Sequence, residues 1–290
     1  MNARMAVLAC GWLAAAAAAA QTTIHATNHL AYGANIGWIE MRGDVTNGVV
    51  VGQSYCTGYA WSANCGWICL GNGPTNGWRY SNLASNDWGV NHNGAGQLAG
   101  RAYGADIGWI TFEQTDGRPQ VDLETGKLDG YVWGANVGWI GLSNVQAHVQ
   151  TDRLAPGPDT DGDGIPDDWE WRMAGDLATL SDGGHDEDGD GAPDEAEYPA
   201  DTDPTDDASR LEIAAYRLAD GTNRVEWTAQ NSRFYELLRQ TNLVEEPPAW
   251  SDTGLGRMRG VGPTMFLEVE SPADGDVHIW GVRASVPLGE

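Results

Sequence analysis

The amino-acid sequence predicts a mainly β, multidomain protein with a Trp- and Gly-rich repeat domain, an acidic loop segment and a C-terminal β-sandwich. The 290 residues include 39 Gly and 14 Trp but only 3 Phe, which favours turn-rich β structure over helical bundles. A nine-residue pattern recurs four times in the first half of the chain, and acidic residues concentrate just after it. We therefore divide the chain into residues 1–20, 21–150, 152–207 and 208–290.

The charge of the chain excludes one class of partner. It carries 41 Asp and Glu against 16 Lys and Arg, a formal net charge of −25. Nucleic-acid binding requires clustered positive charge, so we exclude a nucleic-acid partner. Hydrophobic residues make up 41% of the chain, which is enough to build folded cores.

Residues 1–20 have the features of a secretory signal peptide. Arg4 supplies a positive charge, residues 5–13 form an apolar run, and a tract of alanines precedes Gln21, which we expect to begin the exported protein. The apolar run is too short for a membrane anchor and no later run is longer, so we expect a secreted or cell-surface protein without a transmembrane segment. Cys10 could instead be a lipoprotein cysteine, but few apolar residues precede it and alanines follow, which favours its removal with the signal peptide.

The repeated pattern consists of an aromatic strand, a Gly-Ala-Asn type of turn and a Gly-Trp-Ile strand. The Trp residues near its end lie 29, 42 and 30 residues apart, a period typical of repeated supersecondary units. Gly and Asn suit tight hairpin turns, and turn-flanked segments upstream predict three short strands per unit. Units of this size bury a face only by packing on one another, in a solenoid, a prism-like array or a propeller-like closure. The four copies are Ala31–Ile39, Ala60–Ile68, Ala102–Ile110 and Val132–Ile140.

The Trp residues of this domain have two predicted roles. A Trp that recurs between Gly and Ile in every unit is most simply a core residue that holds neighbouring units together. Trp78 and Trp88 lie instead in the long insertion between the second and third units, among Asn, Gly, Arg and Tyr. Insertions on one face of a repeat array commonly form a binding surface, so we take Trp78 and Trp88 as the candidate ligand face.

Three cysteines remain after the predicted signal peptide. Cys56 and Cys65 replace apolar residues at equivalent positions of the other units. An exported protein can replace an aliphatic pair by a disulfide, so Cys56–Cys65 is the first pairing that we expect. Cys69 is then left over, which keeps a Cys56–Cys69 bridge, a buried thiol or an intermolecular bridge open. Three cysteines at this spacing do not indicate a zinc site.

The acidic segment contains two loops with calcium-ligand spacing. Residues 152–207 hold 20 acidic and 2 basic residues. Carboxylates at positions 1, 3, 5, 9 and 12 of a loop, with Gly at position 6 and a backbone carbonyl at position 7, suit the oxygen coordination of Ca²⁺. A disordered acidic linker would not place Gly and Glu at these positions twice, 27 residues apart. The predicted ligands are Asp159, Asp161, Asp163, Ile165, Asp167 and Glu170 in the first loop and Asp186, Asp188, Asp190, Ala192, Asp194 and Glu197 in the second.

These loops resemble thrombospondin type 3 repeats and the EF-hand-like loops of dockerins. The Asp-Gly-Asp-Gly-Ile-Pro-Asp and Asp-Gly-Asp-Gly-Ala-Pro-Asp segments carry the Pro of the thrombospondin type. Pro156 and Pro158 exclude an entering helix before the first loop, whereas a short exiting helix is expected over 168–173. We expect the Ca²⁺ to be structural, because a bound ion neutralises the mutual repulsion of these carboxylates and makes the segment a semi-rigid spacer. The cohesin binding of dockerins does not carry over, because the paired helical faces that it uses are not evident. Residues 201–206 form either a truncated third ion site or a turn.

Residues 208–290 predict a small β-sandwich. Polar and apolar residues alternate after Leu211, an Asp220-Gly221 turn follows, and further strands are indicated near 225–227, 234–239, 265–269 and 277–282. This strand spacing resembles fibronectin type III modules. Trp227 and Trp280 are expected in its core.

The sequence favours a non-catalytic function. It has no nucleophile motif and no phosphate-binding Gly loop. We therefore expect a secreted or cell-surface, calcium-binding protein that is adhesive or binds a glycan or another protein through its repeat domain. A purely structural envelope or matrix component is the alternative. A glycoside hydrolase that uses Glu40 and Glu113 is disfavoured, because equivalent positions of a repeat are seldom neighbours.

Overall fold

The computed structural model describes residues 21–43, 45–219, 222–240, 250–270 and 279–289. Strands make up 42% of the described residues and helices 6%, which confirms the mainly β prediction. The described residues divide into two compact units, residues 21–177 with 287–289 and residues 178–286. The predicted signal peptide, Cys10 and the Asp220-Gly221 turn lie outside the described residues. Among the described residues, no helix is long and apolar enough to cross a membrane.

The first unit is built from short antiparallel strands followed by one helix. Its elements are β1 (Ile24–Gly33), β2 (Gly37–Glu40), β3 (Val50–Val51), β4 (Cys56–Ser62), β5 (Gly66–Gly71), β6 (Val90–His92), β7 (Leu98–Gly104), β8 (Gly108–Phe112), β9 (Gln120–Val121), β10 (Lys127–Asp129), β11 (Tyr131–Gly134), β12 (Gly138–Gly141), β13 (Val149–Thr151) and α1 (Asp167–Met173).

Eight of these strands close into a barrel. Each copy of the repeat forms one hairpin, and the four hairpins are β1–β2, β4–β5, β7–β8 and β11–β12. The hairpins pair with one another in chain order, and β12 returns to pair with β1 at Tyr32↔Gly141 and Gly33↔Ile140. Every pair in this ring is antiparallel. The architecture is thus a closed barrel of four equivalent hairpins.

The inward face of the barrel is apolar and layered. Each layer takes one side chain from each hairpin, as the alternation of strand residues requires. At Gly33 a Cβ atom would lie 2.8 Å from Cγ1 of Ile36, so a larger residue would need repacking there. The buried layers are Ala31, Ala60, Ala102 and Val132; Gly33, Ser62, Gly104 and Gly134; Ile36, Cys65, Ile107 and Val137; and Ile39, Ile68, Ile110 and Ile140.

The repeated aromatic residues lie on the outside of this barrel, so the prediction that the repeated Trp residues form its core is wrong. Trp and Ile are neighbours in each Gly-Trp-Ile strand and must point to opposite faces, and the Ile residues point inward. The aromatic side chains are between 38% and 52% exposed. They are Tyr32, Trp38, Trp61, Trp67, Tyr103, Trp109, Trp133 and Trp139.

A third strand extends each hairpin. In the second hairpin the short strand β3 pairs with β4, and in the third hairpin β6 pairs with β7. In the fourth hairpin β9 pairs with β10, the strand that directly precedes β11 in the chain. The first hairpin takes its third strand from the end of the domain, because β13 pairs with β1 at Ile24↔Thr151 and His29↔Val149. β13 also pairs with β10.

The turns of neighbouring hairpins are connected by side-chain amides. Asn64 Nδ2 donates to the backbone carbonyl of Ile36 at 3.0 Å, and Asn35 Nδ2 donates to that of Val137 at 3.1 Å. The same bond from Asn136 reaches Ile107. Asp106 occupies this turn position in the third hairpin, and its carboxylate has no proton to donate.

The cysteines are not paired as predicted. All three are free, and Cys56 begins β4 whereas Cys65 lies in the turn that follows the end of this strand. The strand length separates their Cα atoms by about 20 Å, far beyond the roughly 7 Å that a disulfide spans. Cys69 lies on the outer face beside Tyr59.

The second unit contains two antiparallel sheets that share one core. Trp227 and Trp280, from different sheets, are buried together with Tyr235 and Leu237, which confirms the predicted core role of both Trp residues. One sheet has the order β14-β15-β19, and in the other β16 pairs with β17, β18 and β20. The elements are α2 (Asp194–Ala200), β14 (Ile213–Ala219), β15 (Thr222–Thr228), β16 (Phe234–Gln240), β17 (Ser251–Asp252), β18 (Met258–Arg259), β19 (Thr264–Glu270) and β20 (Ile279–Ser285).

Candidate functional site

The first acidic loop is held in shape by its own aspartates. Asp159 accepts hydrogen bonds from the backbone N–H groups of Gly162 and Gly164, at 2.8 and 3.1 Å. Gly164 has a φ of +91°, a conformation that favours Gly at the sharp turn of the loop. The chain then enters α1, so the predicted exiting helix is confirmed, with its first residue at Asp167.

The second loop repeats these bonds one by one. Asp186 accepts hydrogen bonds from Gly189 and Gly191, at 2.8 and 2.9 Å. Its exiting helix, α2, was not predicted and begins at Asp194. Two segments 27 residues apart therefore adopt the same local conformation, although each belongs to a different compact unit.

The loops bring predicted ligand carboxylates together. Carboxylate oxygens of Asp159, Asp161 and Asp167 lie within 4.8 Å of one another, and so do those of Asp161, Asp163 and Glu170. In the second loop, Asp186, Asp188 and Asp190 form the equivalent group. Oxygen atoms at this separation can contact one hard cation, which is the donor set that Ca²⁺ prefers.

Glu170 and Glu197, at position 12 of each loop, are almost completely buried, at 0% and 1% exposure. Among the described residues, none of their carboxylate oxygens has a hydrogen-bond partner. Burial raises the pKa of Glu197, and the neighbouring Thr202 hydroxyl opposes this rise without forming a hydrogen bond. The described residues therefore offer these two buried carboxylates no hydrogen-bond donor, an arrangement that is costly in a folded protein.

Burial and the neighbouring negative charges also raise the pKa values of these two glutamates. Burial, and then the charges of Asp163 and Asp161, raise the pKa of Glu170 to about 8. Burial, followed by Asp188 and Asp190, raises the pKa of Glu197 to about 8. A divalent cation at the centre of each cluster would reverse these electrostatic effects and favour the carboxylate form.

The position 9 aspartates also support the loop backbone. Asp167 accepts a 2.7 Å hydrogen bond from the N–H of Thr160, and Asp194 accepts the equivalent bond from Glu187 at 3.1 Å. Asp194 is in addition 2.7 Å from Nδ1 of His185, which raises the pKa of that imidazole through their hydrogen bond. His185 was not among the predicted residues, because it precedes the loop pattern.

The carbonyl positions of the loops, Ile165 and Ala192, are buried. Their N–H groups donate to Asp163 and Asp190, at 2.8 and 2.7 Å, so the position 5 aspartates orient the next part of the loop. Arg210 lies 4.0 Å from Asp190 and introduces a cation that the loop pattern does not predict.

Each loop is attached to the unit in which it lies. In the first, Trp169 of α1 is buried and the carboxylate of Asp168 is hydrogen-bonded to Ser54 of the barrel unit. In the second, the guanidinium of Arg233 donates to the carbonyls of Tyr198 and Pro199 at the end of α2. Ala200 of α2 also belongs to the core of the second unit.

Residues 201–206 form a turn. Asp203 accepts hydrogen bonds from both the N–H and the hydroxyl of Thr205, at 3.1 and 2.7 Å. Asp206 accepts one from the N–H of Ala208. These local bonds account for Asp203 and Asp206. Asp201 contacts Ser232 and the guanidinium of Arg233, which favours the turn over a third ion site.

The outer surface of the barrel is the second candidate site. Cross-strand partners form edge-to-face pairs, with ring centroids 4.9 Å apart in Tyr32–Trp38 and 5.0 Å apart in Trp133–Trp139. Trp88 of the insertion joins the pair of the third hairpin, with its ring 5.0 Å from that of Trp109. The other predicted ligand residue, Trp78, is stacked with the guanidinium of Arg79. The predicted ligand face thus extends onto repeated aromatics that the sequence assigned to the core.

The topology separates Glu40 and Glu113. Glu40 ends β2 and Glu113 follows β8; these strands are four positions apart in a ring of eight and so lie on opposite sides of the barrel. Glu40 is 2.5 Å from His29, and the carboxylate of Glu113 accepts backbone N–H bonds from residues 115–117. This arrangement does not form the close carboxylate pair that glycoside hydrolysis requires.

Comparison of the chain with family models, with curated proteins and with solved structures gave no match.

Proposed function

We propose that this chain is a secreted or cell-surface, calcium-binding, non-catalytic protein that adheres to a glycan or to another protein through the outer face of its barrel. In this proposal the two acidic loops are thrombospondin type 3-like calcium sites. The two sheets of the second unit are a fibronectin type III-like module. Export rests on the signal-peptide pattern of residues 1–20.

The observation that carries the calcium assignment is the burial of Glu170 and Glu197 without hydrogen-bond partners. A solvated acidic linker would keep its carboxylates in water, where their charge costs little. Here each glutamate is at the position that supplies the bidentate ligand of a calcium loop, next to a group of aspartates. One Ca²⁺ per loop would compensate both the buried carboxylate and the mutual repulsion of its neighbours.

The proposed role of Ca²⁺ is structural. Each loop is continuous with a helix that packs into its own unit, through Trp169 in the first and Ala200 in the second. Bound Ca²⁺ would therefore stabilise each unit at the place where the acidic segment joins it. A ligand that binds only the folded state raises the free energy of unfolding as its concentration rises above its Kd.

The adhesive role is supported by the outward position of the repeated aromatics. An apolar interior is already provided by the Ile and Ala layers, so the half-exposed Trp and Tyr rings are available for contacts outside the barrel. Clustered exposed aromatics of this kind mark interaction surfaces more often than plain solvated surface. A purely structural matrix component is the second candidate, since the same rings could contact other copies of the chain.

Calcium titration of the chain expressed from Gln21 tests the first part of the proposal. We expect isothermal titration calorimetry to give two sites in the wild type and one in each of Glu170→Gln and Glu197→Gln. Asp182→Asn is the matched control, because this exposed carboxylate lies between the loops and outside both ligand sets. Equal calcium binding in all four proteins would disprove the assignment.

Retention on polysaccharides and on immobilised copies of the chain tests the second part. We expect the wild type to be retained on a glycan and Trp109→Ala to lose retention without loss of folding. Retention only on immobilised copies would favour the structural alternative.

A further inference from the structure

The third hairpin differs from the others at one position of its outer face. Arg101 occupies the place of Leu30, Tyr59 and Tyr131 in the other three hairpins. The Tyr59 and Tyr131 rings lie 6.3 Å from the repeated Trp of their own hairpins. The guanidinium of Arg101 lies 5.8 Å from the centre of the Trp109 ring. A cation therefore replaces an apolar or aromatic contact at this one hairpin.

Arg101 has no anionic partner. Its side chain is exposed and, among the described residues, it forms no ion pair and no side-chain hydrogen bond. The acidic residue of the insertion, Asp87, is engaged within its own loop, because its carboxylate accepts hydrogen bonds from the N–H groups of Thr75 and Ser81. Hydrogen bonding from the Ser81 side chain, and then from these N–H groups, lowers the pKa of Asp87. Of the net charge of −25, −18 belongs to residues 152–207, which hold 20 acidic and 2 basic residues, so the barrel surface around Arg101 is much less acidic than the chain as a whole.

Trp88 makes the aromatic surface around Arg101 larger than in the other hairpins. Its ring is 5.0 Å from Trp109 and 6.1 Å from Tyr103, and those two rings are 4.9 Å apart. All three ring contacts are edge-to-face, so the three rings form one aromatic cluster, and the guanidinium of Arg101 lies beside its Trp109 ring. We call Trp88, Arg101, Tyr103 and Trp109 the arginine–aromatic patch.

From this patch we infer that the protein recognises an acidic polysaccharide, one whose sugar rings carry carboxylates, and the inference rests on the proposed binding function of the barrel. Apolar sugar faces would lie against the indole and phenol rings, as amphipathic ligands do on clustered aromatics. Arg101 would bind the carboxylate of the same or the next sugar through its planar pair of N–H donors.

Charge complementarity selects this ligand over a neutral glycan. A neutral sugar leaves the guanidinium of Arg101 without an ionic partner, whereas a carboxylate forms an ion pair with it. The neighbouring aromatic rings exclude part of the water around this ion pair, which strengthens it. Arg79 of the insertion, whose guanidinium lies 4.9 Å from the ring centre of the half-buried Trp78, forms a second Arg–Trp pair and has no acidic partner among the described residues. The remaining basic side chains of the barrel, such as Lys127 beside Asp129, have other contacts.

The test compares polygalacturonate with the same polymer after chemical reduction of its carboxyl groups, at one fixed calcium concentration. Calorimetry on the chain expressed from Gln21 should give tighter binding to the acidic polymer. Arg101→Gln should weaken binding to polygalacturonate about tenfold and leave binding to the reduced polymer unchanged. Trp88→Ala should weaken binding to both polymers. Lys127→Gln is the control for general charge and should alter neither.

Several outcomes would overturn the inference. Equal losses in Arg101→Gln and Lys127→Gln would show that only general charge is sensed. Unchanged affinity of Arg101→Gln for polygalacturonate would show that the arginine–aromatic patch does not recognise the carboxylate, although the barrel could still be a binding domain. Absence of binding to both polymers would remove the ligand class. Circular dichroism and calcium stoichiometry of each variant report folding and the calcium sites. Retention of the wild type on other polysaccharides or on immobilised copies of the chain, without binding to polygalacturonate, would overturn this inference and leave the proposed binding function of the barrel in place.

Discussion

Asn136 and Ile107 connect two neighbouring hairpins of the barrel through a single hydrogen bond, from the side-chain Nδ2 to the backbone carbonyl, at 3.0 Å. The equivalent bond joins the second hairpin to the first and the first to the fourth. Between the third and second hairpins the donor is missing, because Asp106 replaces Asn. The barrel thus has three of the four turn-to-turn bonds that its symmetry allows.

Asp106→Asn should stabilise the barrel. The new amide can donate to the carbonyl of Cys65, and the substitution removes a carboxylate from the vicinity of that oxygen. We expect a gain of about 1 kcal/mol in the free energy of unfolding, measured by urea denaturation. The reverse change, Asn136→Asp, should cost a similar amount. A loss of stability in Asp106→Asn would show that Asp106 has a favourable contact of its own.

Glu170→Gln should change stability in opposite directions with and without calcium. In chelator, the substitution removes a buried carboxyl whose ionisation is disfavoured, so the barrel unit should become more resistant to heat. In saturating calcium the variant lacks a ligand and should melt below the wild type. Thermal melts of the wild type and the variant in both buffers measure whether the shift in melting temperature changes sign. Asp182→Asn should behave like the wild type in each, and parallel shifts of Glu170→Gln in both buffers would contradict the calcium site.

His92 should make the barrel sensitive to mild acid. Its Nδ1–H donates to the Gly52 carbonyl and its Nε2 accepts from the N–H of Gly96, so the neutral ring satisfies both neighbours. Complete burial lowers its pKa from 6.5 to about 4. The unfolded chain therefore binds a proton that the folded chain does not, and stability should fall as the pH decreases from 6.5 towards 4.

The size of this effect is roughly 3 kcal/mol if the whole shift is realised. Urea denaturation of the wild type and of His92→Gln between pH 4 and pH 7 measures it, since carboxylate effects are common to both proteins. The difference in stability between them should shrink or reverse at the acid end. A constant difference across this range would show that His92 does not titrate in folding.

Substitutions of neighbouring residues in one Gly-Trp-Ile strand should cost different amounts of stability, depending on whether the side chain lies inside or outside the barrel. Ile140 is 2% exposed and Trp139 is 41% exposed. Ile140→Ala should cost about 3 kcal/mol, because it leaves a cavity in a closed layer. Trp139→Ala should cost about 1 kcal/mol, mainly its contact with Trp133. Equal losses, measured by urea denaturation, would contradict the outward position of the aromatics.

The sequence predicts best the features that depend on neighbouring residues. The ligand spacing of the loops, the hairpins around each Gly-Ala-Asn turn and the core Trp residues of the second unit are local patterns. The loop residues Glu170 and Glu197 were found in this way, although only the structure reveals that their own carboxylates are buried beside the loop aspartates.

The orientation and closure of the hairpins could not be predicted in the same way. In a Gly-Trp-Ile strand both side chains are large and apolar, so alternation alone does not tell which face is inside. Arg101 was an available signal, since it is two residues from Tyr103 on the same strand and a charge is unfavourable in a core. Closure depends on the pairing of β1 with β12, which are separated by more than a hundred residues and share no local pattern.

The pairing of β13 with β1 also affects how the domain can be made. The first hairpin emerges earliest during synthesis or export, but its third strand, residues 149–151, emerges last. Until then the edge of β1 is open, and a truncated chain that ends before Val149 would expose it to other chains. Completion of the domain is thus tied to the arrival of β13, which lies outside the closed ring of eight strands, so partial chains are expected to aggregate instead of accumulating as smaller folded repeats.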